Sequence, residues 1–196
     1  MPVLRSIAED FERDQPFAGL KISLSVHLEA KTACLCRTLE KGGAEMHVTG
    51  SNPLSTQDDI AAALASRGMD VHAVHGVSEE EYLSQLEAVL MPGPNIIIDD
   101  GGDLVDLVHT KMSHLIPNIY GGAEETTTGI LRLRAMAKQG TLRFPMLMVN
   151  DADCKHLFDN RYGTGQSGGS GWIRLVRQRH CSTGQGPGRP RHCHGN

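Results

Sequence analysis

The stretch NIIIDDGGD, residues 95–103, joins a short apolar run to three acids and two glycines. A continuous apolar run such as Asn95 to Ile98 suits a strand buried on both faces, as in a parallel sheet covered by helices. Polar groups released just past such a strand lie at its carboxyl edge, where open α/β sheets take their ligands. Two other stretches share the pattern. EETTTG at 124–129 and VNDADCKHLFDNRYG at 149–163 also follow apolar runs.

Working outward, Val3 to Arg13 reads as an amphipathic helix, with Leu4, Ile7, Ala8 and Phe11 on one side. Leu20 to Val26 is rich in β-formers. Glu29 to Lys41 is helical and stopped by Gly42-Gly43, and Ala44 to Val48 is a second strand leading into the loop TGSNPLSTQDD. Ser55 with Asp58 resembles a capping arrangement and predicts a helix over Thr56 to Arg67. Asp70 to Val74 is a third strand, and Ser78 with the acids after it caps a helix running to about Val89. Beyond the quoted stretch, Asp103 to Ser113 is helical, Ile116 to Tyr120 extended, Thr126 to Gln139 helical and closed by Gly140, and Pro145 to Val149 extended.

This alternation predicts an α/β fold: a three-layer, doubly wound, mostly parallel, Rossmann-like sheet with helices on both faces. His27, Ser55, Asp99 to Asp103, Glu124 to Thr128 and Asn150 to Asn160 then gather on one rim. Lys155 and Asp159 are four residues apart, so on a helix they share a face and can bind two neighbouring hydroxyls of one ligand. A surface ion pair is the plain alternative at that spacing. For His27 the plain alternative is a satisfied strand-end histidine, and for the threonine run it is a helix cap.

The net charge of −4 gives no reason to expect nucleic acid, and 39% hydrophobic residues suffice for a core. No run is long or apolar enough to span a bilayer, and the acidic N-terminal stretch is unlike a signal peptide, so a cytoplasmic protein is expected. Five cysteines, an odd number, point to reduced thiols. From Ser167 on, the sequence has no acid and no periodic apolar face, which predicts disorder over residues 167–196. Its His180, Cys181, His192, Cys193 and His194 lack the spacing of a zinc site, and no metal is expected. Asp99, Asp100 and Asp103 are a weaker candidate for Mg²⁺, without a phosphate loop beside them.

The motifs VHLEAKTA at 26–33, GAEMHVTGSNPLSTQDD at 43–59, IIIDDGGDLVDLVH at 96–109, GGAEETTTGILRL at 121–133 and VNDADCKHLFDNRYGTGQS at 149–167 together resemble S-adenosylhomocysteine hydrolase. The resemblance covers residues 1–166 as the family's substrate-binding domain. In the family a helix and then a strand with a glycine-rich turn that binds NAD come next, and no such strand and turn follow in these 196 residues. The abrupt change near Ser167 is what a frameshift in GC-rich coding DNA produces.

The resemblance implies reversible cleavage of S-adenosylhomocysteine to adenosine and homocysteine, with NAD as cofactor, a small-molecule partner, and homo-oligomers in the full-length family. It implies catalytic roles for Lys155, Asp159, Asp100 and His27, with Lys155 and Asp159 at the ribose 3′-hydroxyl and Asp100 and His27 near the 5′ end. Ser55, Glu125 and Glu29 join Asp100, Lys155 and Asp159 as substrate-binding residues. Thr126, Thr127, Thr128 and Asn160 face the cofactor. Glu29 and Lys31 stand where many members have a threonine and an acid or amide. This form resembles archaeal and some bacterial members and leaves adenine and hypoxanthine both open as the base. With no cofactor domain in these 196 residues, the chain alone is expected to be inactive, and a catalytically silent nucleoside-binding or interaction fragment is the alternative.

Overall fold

The computed structural model describes residues 1–155 and 157. These fall into two units, residues 1–151 and a second beginning at Ala152. The boundary expected at 166 and 167, the tail after it, and Asp159 and Asn160 lie outside the described residues.

Six strands form one sheet: β1 Lys21–Ser25, β2 Glu45–Thr49, β3 Asp70–Val71, β4 Ile96–Asp99, β5 Gly121–Glu124 and β6 Met146–Met148. Their order is β3-β2-β1-β4-β5-β6 and every pairing is parallel. The first half of the chain therefore builds outward from β1 in one direction and the second half from β4 in the other. Helices α1 Pro2–Asp14, α2 Ala30–Lys41, α3 Asp58–Ala65, α4 Glu79–Leu90, α5 Asp103–Thr110 and α6 Thr127–Gln139 connect and flank the strands.

Side-chain alternation along the strands makes two cores. Ile22 and Leu24 of β1, Met46 and Val48 of β2, and Ile96 and Ile98 of β4 pack with Cys36 and Leu39 of α2 and Leu64 of α3. On the opposite face Ile97 packs with Leu86, Val89 and Leu90 of α4, Leu104, Val105 and Val108 of α5, and Leu133 of α6. Strand residues on this second face are polar near β1: Ser23 spends its hydroxyl on the Val89 carbonyl at 2.5 Å, and His47 meets Asp70 at 2.7 Å. These local partners offset the cost of removing the two side chains from water, whereas the Ser25 hydroxyl in the same row is buried without a hydrogen-bond partner among the described residues. No described helix is long and apolar enough to cross a membrane.

Local signals hold at most boundaries. Ser78 and Glu81 form the reciprocal capping box at the start of α4, Thr126 caps α6 by accepting from Gly129 N–H, and Gly140 closes α6 in the left-handed region. Three expectations need correction. The residues expected as an extended run, 116–120, lie mostly in a 3₁₀ turn, Ser113–Asn118, and the strand is the following GGAE. Glycine has little β-propensity, but here it makes room: a Cβ on Gly122 would lie 2.6 Å from the Ile97 carbonyl oxygen and 2.7 Å from Met146 Sδ. Strand β3 is two residues, not five. Ser55 is not a helix cap; α3 starts at Asp58 behind Gln57, which makes no side-chain cap bond.

Candidate active site at the strand tips

Chain order reverses between β1 and β4, and in doubly wound sheets the crevice at that reversal is where ligands bind. Ser25 and Asp99 are register partners at the ends of these strands, so the next residues along each chain emerge side by side. Among them are His27, two residues beyond Ser25, and Asp100, one beyond Asp99. Their side chains approach to 3.5 Å, Nε2 to Oδ2, with the carboxylate almost fully buried and the imidazole 31% exposed. The loop after β2 supplies both flanking hydroxyls: Ser51 Oγ donates to Asp100 Oδ2 at 2.8 Å, and Ser55 Oγ lies 2.5 Å from His27 Nδ1. Thr32 on the first turn of α2 holds the His27 carbonyl at 2.6 Å.

The turn carrying Asp100 is held from below. Gly101 and Gly102 have φ of 119° and 82°, a conformation that glycine adopts without strain. Asp99 is fully buried and accepts from its neighbours Asp100 N–H and Val105 N–H, both at 3.0 Å. Burial pushes its carboxyl up to about 8; the Val105 hydrogen bond opposes this and the charge of Glu124 reinforces it. Glu124, across from Asp99 in the register, is also fully buried. Its Oε1 accepts from Gly101 N–H, Thr126 N–H and the Thr126 hydroxyl, and burial again raises its carboxyl despite these bonds. A Cβ on Gly129 would fall 2.2 Å from this carboxyl group, so the start of α6 must approach it as glycine.

The other residues singled out from the sequence are placed as follows. Glu125 lies at the tip of β5, its N–H on the Asp99 carbonyl at 3.0 Å. Glu29 is the residue before α2; its side chain makes no cap bond and lies 4.0 Å from Lys31. Thr126 is committed to capping α6 and to Glu124, while Thr127 and Thr128 are exposed on the first turn. Asn150 donates to Thr127 Oγ1 at 3.1 Å, which brings the segment after β6 to the same helix end. Lys155 lies in the second unit, where its N–H bonds the Ala152 carbonyl at 2.9 Å. The three acids of DDGGD turn to different partners: Asp99 to backbone N–H groups, Asp100 to Ser51, and Asp103 to Arg132 at 3.1 Å.

Three contributors went unnoticed in the sequence: Ser51, Tyr82 and Arg132. Tyr82 on α4 donates from one hydroxyl toward the Ser51 carbonyl at 3.0 Å and Asp103 Oδ2 at 3.1 Å, joining the β2 loop to the β4 turn. Arg132 on α6 donates to the Gly102 carbonyl as well as to Asp103. Tyr82 and Arg132 sit on helical repeats that read as ordinary faces, and only the packing of helices on the sheet brings them to the rim.

A model of the S-adenosyl-L-homocysteine hydrolase family matches residues 1–114 and 109–185. The chain is 59% identical over 176 residues to S-inosyl-L-homocysteine hydrolase of Methanococcus maripaludis, a match covering 90% of this chain and 42% of that one. It is 54% identical to adenosylhomocysteinase of Pyrococcus abyssi with the same two coverages, and 53% identical over 179 residues to that of Aquifex aeolicus. The chain thus spans less than half the length of the curated relatives it matches.

Proposed function

Because the chain belongs to the S-adenosyl-L-homocysteine hydrolase family, we propose that its strand tips bind the nucleoside of a homocysteine thioether and take part in its reversible hydrolysis. The observation that carries this reading is the pairing of His27 with a buried Asp100 at the point where strand order reverses. A proton held between an imidazole and a carboxylate is suited to two tasks at the substrate's 5′ carbon. One is protonation of the departing thiolate, and the other is activation of the water that replaces it.

NAD, when bound, supplies reversible oxidation of the ribose 3′ carbon, which makes the neighbouring C4′ proton acidic. Exposed hydroxyls of Thr127 and Thr128 at the amino end of a 13-residue helix fit the polar groups of such a cofactor, and Asn160 joins them in this reading. Thr126, already spent as a cap, contributes through the backbone it fixes. Lys155 takes the proton of the 3′-hydroxyl, with Asp159 holding that hydroxyl in place. Glu125 accepts from a ribose hydroxyl.

Glu29 favours the inosine form of the substrate. Its carboxylate is unspent on the helix it precedes, and an acceptor there matches the N1–H of hypoxanthine, whereas N1 of adenine is itself an acceptor. The test is a chimera in which these residues replace the matching segment of the Methanococcus maripaludis relative. Release of homocysteine from S-inosylhomocysteine in preference to S-adenosylhomocysteine is the expected result. A folded chimera that binds either nucleoside and releases no thiol would instead identify a silent binding fragment.

A further inference from the structure

We propose that Ser55 is a positioning residue that fixes His27 as the neutral tautomer protonated on Nε2, so that the shared proton lies on the Asp100 side of the ring. The inference rests on the proposed role of His27 and Asp100 for its functional meaning, but its structural content stands on hydrogen-bond accounting alone.

The count begins at Asp100. Its Oδ2 accepts the Ser51 hydroxyl at 2.8 Å and faces His27 Nε2 at 3.5 Å. An ionised carboxylate only accepts, so a ring nitrogen turned toward it is favoured as N–H and disfavoured as a lone pair. A neutral imidazole carries one proton, so Nδ1 must then accept. The group beside Nδ1 is Ser55 Oγ, at 2.5 Å.

Whether Ser55 can donate there depends on its one competitor among the described residues, the Asn52 carbonyl 3.0 Å from the same oxygen. That carbonyl already receives Ser55 N–H at 3.1 Å and the Thr56 hydroxyl at 3.2 Å. Those two donors already match the carbonyl's two lone pairs, and the imidazole nitrogen is nearer to Ser55 Oγ than the Asn52 oxygen is, 2.5 against 3.0 Å. The Ser55 proton is therefore directed to His27. The loop is held in this shape by Asn52 Oδ1, which accepts Leu54 N–H at 2.9 Å, and by Gly50, where a Cβ would lie 2.4 Å from Thr56 Oγ1. The same three-residue spacing that suggests a helix cap thus places a hydroxyl on the imidazole. The consequence for the reaction is directional: the histidine's transferable proton sits on the nitrogen that faces the carboxylate, and the other nitrogen is occupied.

Nitrogen-15 NMR of the intact 196-residue chain tests this without substrate or turnover. At about pH 8, above the ordinary imidazole range, long-range proton–nitrogen spectra distinguish the two neutral tautomers, and loss of one signal set in His27→Gln assigns the resonance among the ten histidines. The expected result is a protonated Nε2 and a lone-pair Nδ1 at His27. Ser55→Ala should give a mixture of tautomers, and Ser55→Thr, which keeps the hydroxyl, should restore the single form. Unchanged spectra for His47 and His109 in both variants exclude a general loss of fold. A protonated Nδ1 in the parent chain, or an unaltered tautomer in a folded Ser55→Ala, would overturn the assignment. Neither outcome bears on whether the whole site hydrolyses a thioether, which the chimera decides separately.

Discussion

At the residue scale the site depends on carboxyl groups in two different surroundings. Asp100 meets a hydroxyl and an imidazole, whereas one strand residue earlier Asp99 is enclosed, with its carboxyl raised to about 8 by burial. In the unfolded chain an aspartate titrates near ~3.9. Between those values the unfolded chain has released the proton while the folded chain still holds it. This contribution therefore lowers stability progressively as pH rises from about 4 to about 8. Glu124, raised in the same direction, adds to the trend. Asp99→Asn removes the largest part of it. The variant's melting temperature should fall less than the parent's between about pH 5 and pH 8, even if the amide loses one of the two backbone hydrogen bonds that the carboxylate accepts. Melting curves across that range decide it, and a slope equal to the parent's would show that Asp99 does not carry the effect.

At the element scale, β5 shows why some of the fold was hidden in the sequence. Strands such as β1, β2 and β4 were legible because branched apolar residues recur along them, and the helices because their ends carry caps such as Ser78 and Gly140. GGAE offers neither signal. Its assignment depends on contacts made by neighbours: Gly122 is pressed between Ile97 and Met146, and Gly121 against the Pro145 carbonyl oxygen, 2.9 Å from where its Cβ would be. Gly122→Ala should accordingly destabilise the protein by about 1–3 kcal/mol, the usual cost of overpacking. Gly68→Ala provides the comparison, since its Cβ would meet nothing within 4 Å and its cost comes from a φ of 91° alone. Denaturant midpoints measure both. A neutral Gly122→Ala would mean that β4, β5 and β6 are less closely packed than described. The capping motif at Ser55 was misread for a related reason: spacing shows that a hydroxyl lies near a helix start, but its partner, His27, comes from the distant loop after β1.

Across the whole molecule, sheet order converts these local features into a site. Parallel strands whose order reverses between β1 and β4 must release His27 and Asp100 at one crevice, and the rim position of both was legible from strand–helix alternation. What alternation does not contain is the second tier, in which Tyr82, Arg132 and Ser51 hold the two loops together through the packing of α4 and α6. The central claim is that Asp100 acts on protons at this crevice and is not simply a ligand of the β2 loop. In the active chimera, Asp100→Asn keeps an acceptor for Ser51 and removes the carboxylate charge. Loss of a positioned acid or base costs ~10²- to 10⁴-fold in rate. The direct measurement is kcat for homocysteine release by this variant alongside its melting temperature. The account predicts a rate loss in that range with melting shifted little; near-parental turnover by a folded Asp100→Asn chimera would contradict it.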